Sequence, residues 1–159
     1  NNAYRIIQTP DHVVIMHEMI HEVRIIPLEK SVHNDERIKL WMGDSVARWE
    51  GNTLVVETTN FHNRGMIANS GAGGRLRGVS VTEDLHLVER FTRIDEDTII
   101  WAVTITDPEI YTRPFTISMP LTQDPDYVIY EYACHEGNQA IRNILSAGRE
   151  REKREAADL

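Results

Sequence analysis

Residues 12–28, HVVIMHEMIHEVRIIPL, form the longest apolar run of the chain and hold three of its seven histidines. The conformation of this run constrains everything else, because His17-Glu18-Met19-Ile20-His21 also fits the pattern H-E-x-x-H. On a helix, His17 and His21 would sit one turn apart on one face, both would reach one zinc ion, and Glu18 would act as general base. On a strand each residue rises about 3.3 Å, which sets the two imidazoles about 13 Å apart. Zinc–nitrogen bonds of about 2.1 Å do not bridge that gap.

A helix has signals in its favour. Thr9 can cap it, Pro10 suits its first position and Asp11 its first turn, and no Gly or Pro interrupts residues 11–26. Against it, Val13, Val14, Ile15, Ile20, Val23, Ile25 and Ile26 are β-branched and favour strands. Period-2 alternation places Val13, Ile15, His17, Met19, His21, Val23 and Ile25 on one face, and Glu18, Glu22 and Arg24 on the other. Propensity and period together predict an extended segment over residues 12–26. Arg24 also occupies the position where the longer zinc-protease pattern requires glycine.

A length of 159 residues suits one domain, 1–159, with strands over 1–137 and a C-terminal helix over 138–157. The formal charge of −8, with no basic stripe, argues against nucleic acid as a partner. No apolar run is long enough to span a membrane as a helix. One cysteine, Cys134, allows neither an internal disulfide nor a multi-cysteine zinc site. The chain opens at Asn1 rather than at methionine, so a processed or truncated product is expected, and a longer precursor would hold any signal peptide.

Along the chain, residues 4–8 read as a short strand. Residues 44–61 read as a hairpin turned at Gly51-Asn52, glycine first as in a type II′ turn. Glycines at 65, 71, 73, 74 and 78 make 62–78 a loop; Arg75 and Arg77 in it suit a lid over an anionic ligand or an open loop. Two more strands flank Asp95-Glu96-Asp97, a further one, YTRPFTISM at 111–119, contains Pro114 and is expected at an edge or with a bulge, and residues 126–136 read as the last. Beyond Gly137, Ile141, Ile144 and Leu145 form a stripe expected to pack a helix on the sheet. Seven or eight strands without βαβ alternation predict a mainly β, antiparallel up-and-down barrel of the lipocalin or calycin kind, or a half-open barrel or sandwich.

Ionisable residues on apolar strand faces are the candidates for chemistry. His17, Glu89, Glu131 and His135 are expected to line one cavity as catalytic groups. Arg24, Arg113, Tyr130 and Trp101 are expected to bind substrate, with Arg24 or Arg113 close enough to pair with one carboxylate. Burial raises carboxylate pKa values and lowers those of histidine, as acid–base work requires. A structural ion pair between Glu89 and an arginine is the plainer alternative. If a metal binds, His17, His21 and His135 are its candidate ligands, with zinc the candidate ion.

The segments RWEGNTLVVETTNF at 48–61, VERFTR at 88–93, TRPF at 112–115, RIIPL at 24–28 and EYACHEGN at 131–138 occur together in this chain. In this the chain resembles a widespread family of mostly uncharacterised, often exported bacterial β-rich proteins. The resemblance covers nearly the whole chain. It implies an all-β fold and a periplasmic or secreted location, and it supplies no activity. Relatives often lack histidine at the positions of His17 and His21, which weakens the zinc-protease reading. The expected function is a cofactor-free enzyme of lyase or isomerase type acting on a small organic molecule by His/Glu acid–base chemistry. A non-catalytic ligand-binding barrel and a metal-dependent hydrolase using HEMIH are the alternatives. Self-association as a homodimer is left open.

Overall fold

The computed structural model describes residues 3–28, 32–67, 78–133, 137 and 139–157. Among them, the strands are β1 (Tyr4–Gln8), β2 (His12–His17), β3 (Val23–Pro27), β4 (Asp44–Glu50), β5 (Thr53–Thr59), β6 (Met66–Ile67), β7 (Val79–Ser80), β8 (His86–Arg93), β9 (Thr98–Thr106) and β10 (Phe115–Thr122). One helix, α1 (Ala140–Ala157), follows. All strand pairs are antiparallel: β1-β2-β3 make one sheet, β10-β9-β8-β5-β4 a second, and β6-β7 a small ribbon. β3 lies against β4 without sharing a ladder. The eight long strands therefore run up and down around a half-open barrel whose two free edges are β1 and β10.

The extended reading of residues 12–26 holds on both sides of a break that alternation did not reveal. β2 ends at His17, a single 3₁₀ turn covers Met19–His21, and β3 starts at Val23. Ile20 and His21 take positive φ values of 66° and 46°, an uncommon conformation for a β-branched residue. The turn resets the alternation. Ile15 pairs with Arg24 and Val13 with Ile26, so Arg24 and Ile26 face inward. Val23 and Ile25, expected on the face of His17, are exposed instead. A register change of one residue sends every side chain to the other face.

Alternation elsewhere does predict the core. Leu54, Val56, Phe91 and Ala47 of the large sheet meet Val13, Ile15 and Ile26 of the small one, with Ile99, Trp101 and Leu121 half-buried beside them. Burying each large aliphatic side chain is worth roughly 1.5–3 kcal/mol. The same sheet face continues through Val103 and Ile105 to a second cluster closed by Phe61, Val81 and Leu85. Asp107 anchors that end by accepting hydrogen bonds from the Thr82 amide and hydroxyl. The β4–β5 turn matches its sequence: Gly51 has φ 62°, while Asn52 is not among the positive-φ residues. Gly43 is required where β4 begins, since an added Cβ would lie 2.6 Å from Thr58 Cγ2 at a φ of 69°.

Two expectations fail. The stretch expected as a last strand has no strand among residues 126–133. It follows the Asp124–Asp126 turn and is drawn to the β2–β3 turn by hydrogen bonds to Glu18, and residues 126–133 pair with no strand edge. The helix forms, but its stripe does not pack: Ile141, Ile144 and Leu145 are 73%, 69% and 53% exposed. The lid segment with Arg75 and Arg77 lies outside the described residues, as do Cys134 and His135.

Candidate functional site

Four of the expected residues converge inside the barrel. Alternation along β8 turns Glu89 inward between Leu87 and Phe91, and the matching alternation on β9 turns Trp101 to the same face. Arg24 reaches across from β3. Its Nη2 donates to Glu89 Oε2 at 2.6 Å and its Nη1 to Oε1 at 3.1 Å, a two-pronged ion pair joining the sheets. Trp101 Nε1 donates to Glu89 Oε1 at 3.2 Å. Arg24 Nη2 also donates to Ser45 Oγ at 3.1 Å and Thr58 Oγ1 at 3.3 Å, and those hydroxyls bond each other at 2.9 Å. The plainer alternative for Glu89 is thus realised as geometry, with Arg24 as the partner.

His17 closes the other side. It stands at the last position of β2, opposite Tyr4 of β1, whose ring meets the imidazole edge to face at 4.8 Å. Burial pushes the His17 pKa below its ordinary 6.5; the positive charge of Arg24 adds to this, while Glu89 and Glu22 oppose it. The imidazole is therefore neutral at pH 7. Its Nε2 is buried with no hydrogen-bond partner among the described residues, and so is Arg24 Nε. Buried polar atoms are nearly always paired, so two orphans at one place call for an account. Both residues line a pocket of about 80 Å³, whose other walls are Ile6, Ile15, Phe91, Met119 and Leu121 with Tyr4, Glu89 and Trp101. This interior is apolar apart from those few polar groups, as ligand sites generally are.

The remaining candidates do not join them. Glu131, Arg113 and Tyr130 are exposed, Glu131 and Tyr130 because their segment is not a barrel strand, Arg113 because it precedes β10 in a turn. His135 lies outside the described residues, so the set of His17, His21 and His135 is not formed by described residues alone. HEMIH is not helical: His17 ends a strand, and His21 is exposed in the turn beyond it. The helical zinc-protease arrangement is therefore not built. Among the described residues, no three His, Cys, Asp or Glu side chains gather as a metal site would need.

Glu18, the general base of that discarded arrangement, has another place. It is 1% exposed at the end of the barrel. Tyr127 Oη lies 2.8 and 2.9 Å from its two oxygens, and the Tyr130 amide donates to Oε1 at 3.3 Å. The Tyr127 hydroxyl is the largest cause of a Glu18 pKa below its ordinary value, outweighing burial, and the same contact raises that of Tyr127. This latch carries the chain past the gap between β1 and β10.

Sequence reasoning missed Tyr4, Ser45 and Thr58, which complete the surroundings of His17 and Arg24. The available signal was strand pairing: Ser45 is the cross-strand neighbour of Thr58, and Tyr4 of His17. Comparisons with protein-family models, curated proteins and solved structures returned no match.

Proposed function

We propose that the half-open barrel is an enzyme that moves protons on a small carbonyl compound, using its own side chains as acid and base. The observation that supports this is the pair of orphaned polar atoms, His17 Nε2 and Arg24 Nε, carried by two residues that line one small apolar pocket. A neutral imidazole accepts a proton; a guanidinium N–H donates a hydrogen bond and bears a charge that favours a developing oxyanion. A carbonyl oxygen accepting from Arg24 Nε acidifies the neighbouring C–H. His17 Nε2 takes that proton, the C–H electron pair becomes the enolate, and Arg24 stabilises the oxygen anion. With a β,γ-unsaturated substrate, return of the proton from His17 to the γ-carbon completes an isomerisation. With a leaving group on the β-carbon, the enolate electron pair forms the new double bond, the group departs with its bonding pair, and His17 gives it the proton, completing an elimination. Glu89 and Trp101 are positioning residues here, since Glu89 holds the guanidinium and both its oxygens are engaged.

The test does not depend on which carbonyl compound is the natural substrate. Small ketones incubated with the protein in D₂O should exchange their α-hydrogens, followed by NMR. His17→Ala should lower the rate about 10²–10⁴-fold with the fold intact by circular dichroism. Exchange no faster than with His17→Ala would reject the proposal.

A non-catalytic ligand-binding barrel is the second reading, favoured by the full engagement of Glu89. It is distinguished by tight binding of a molecule that is recovered undeuterated.

A further inference from the structure

The inner pocket is small. Ligand sites generally measure about 300–1,000 Å³, and about 80 Å³ holds only a few heavy atoms. A second space of about 780 Å³ lies between the two free edges of the barrel. Ala3 to Ile6 of the β1 side form one wall, and Thr98, Ile99 and residues 120–124 form the other. Tyr4, Ile6 and Leu121 line both spaces, so the slot lies directly beside the chamber of His17 and Arg24. Its half-buried lining is Ile99, Leu121 and Ile129 with Ala3 and the polar Thr98, while Arg5, Arg93, Glu96, Asp97 and Asp124, which also line it, are exposed.

We infer that the site takes an elongated substrate, a carbonyl compound with an unbranched aliphatic chain, whose carbonyl end enters the inner pocket while the chain lies in the slot between β1 and β10. Three observations carry this. Within these two spaces, the buried polar atoms without partners are at the inner end. The space for bulk is confined to the slot. The slot pairs an aliphatic strip, Ile99, Leu121 and Ile129, with exposed charges of both signs, which suits a chain without charge of its own and leaves the charged groups in water. A compact substrate would leave the slot unused, and a polyanion would meet Glu96, Asp97 and Asp124. The inference rests on the proposed function for the choice of carbonyl, but its geometry is tested by binding alone.

The probes are the straight-chain methyl ketones from butan-2-one to decan-2-one. Their dissociation constants are read from the shift of the His17 ring Cε1–H signal, which also reports that the carbonyl end has arrived. Affinity should rise about two- to fourfold per added methylene until the slot is filled. Thr122→Trp, which fills the slot from an exposed position, and Ile129→Glu, which places a charge on its aliphatic lining, should each weaken decan-2-one at least tenfold more than butan-2-one. Affinity independent of length overturns the inference, as does length dependence that both variants leave untouched, or no binding by any member. Length-dependent binding without α-hydrogen exchange leaves the elongated ligand standing and rejects the catalytic reading.

Discussion

Among the described residues two glutamates are almost wholly buried, and they are kept by opposite means. Glu89, 5% exposed in the barrel, is neutralised by a guanidinium from the facing sheet. Glu18, 1% exposed at the barrel end, is held by a phenol and a backbone amide. The first centre joins the two sheets and has unsatisfied polar atoms beside it. The second joins the β2–β3 turn to the crossing segment. Loss of Glu89 leaves the Arg24 guanidinium as a buried charge without its counter-ion; loss of Glu18 leaves the neutral donors of Tyr127 and Tyr130. Burial of a carboxylate therefore does not by itself mark a site of chemistry. Unsatisfied neighbours on a pocket point to one, and of these two glutamates Glu89 has them.

The largest effect should come from breaking the ion pair. Arg24→Met alone, or Glu89→Leu alone, should cost about 3–5 kcal/mol in urea unfolding, because each strands a buried charge. The double replacement should recover most of that loss. Single variants costing under about 1 kcal/mol would put this pair with exposed ones and erase the contrast.

Tyr127→Phe should lower the melting temperature less than either. The folded Glu18 pKa lies below 4.5, so the stability it contributes is present above that pH and is lost as pH falls through the folded value. The gap between wild type and Tyr127→Phe at pH 7 should therefore close under acid. A gap that stays constant down to about pH 2 would detach Tyr127 from the ionisation of Glu18.

His17 tests the inner centre with a smaller signal. Its folded pKa lies below 6.5, so below that pH the unfolded chain binds a proton that the folded protein refuses. Stability should fall as pH drops from 6.5 towards the folded value, and His17→Gln should lack that one-proton slope. Equal slopes would show that His17 is not buried as neutral imidazole.

The smallest change should come from Ile144→Asp. Its side chain is 69% exposed on α1, so unfolding should shift by no more than about 0.5 kcal/mol, with both glutamate centres unaffected. A loss of several kcal/mol would mean that the stripe is covered in solution.

The sequence by itself determined the β class, the antiparallel order and the core face. Those follow from local quantities: β-branched propensity, period 2, and turn residues such as Gly51-Asn52 that act on their own neighbours. It also placed Glu89, Trp101 and His17 inward, because each sits in unbroken alternation within one strand. Arg24 was seen as a partner for a carboxylate but assigned to the wrong face, since a turn inside 18–22 changes register and no residue there announces it. That turn leans on Tyr127, more than a hundred positions away, and so does the failure of the last expected strand. The exposed stripe of α1 has the same origin, for amphipathicity says which face would be buried and not whether anything meets it. Tertiary structure alone decided that β1 and β10 stay apart, that the gap between them is the slot, and that Arg24 rather than Arg113 reaches Glu89. Each of these depends on distances between segments remote in the chain, which propensity and periodicity do not encode.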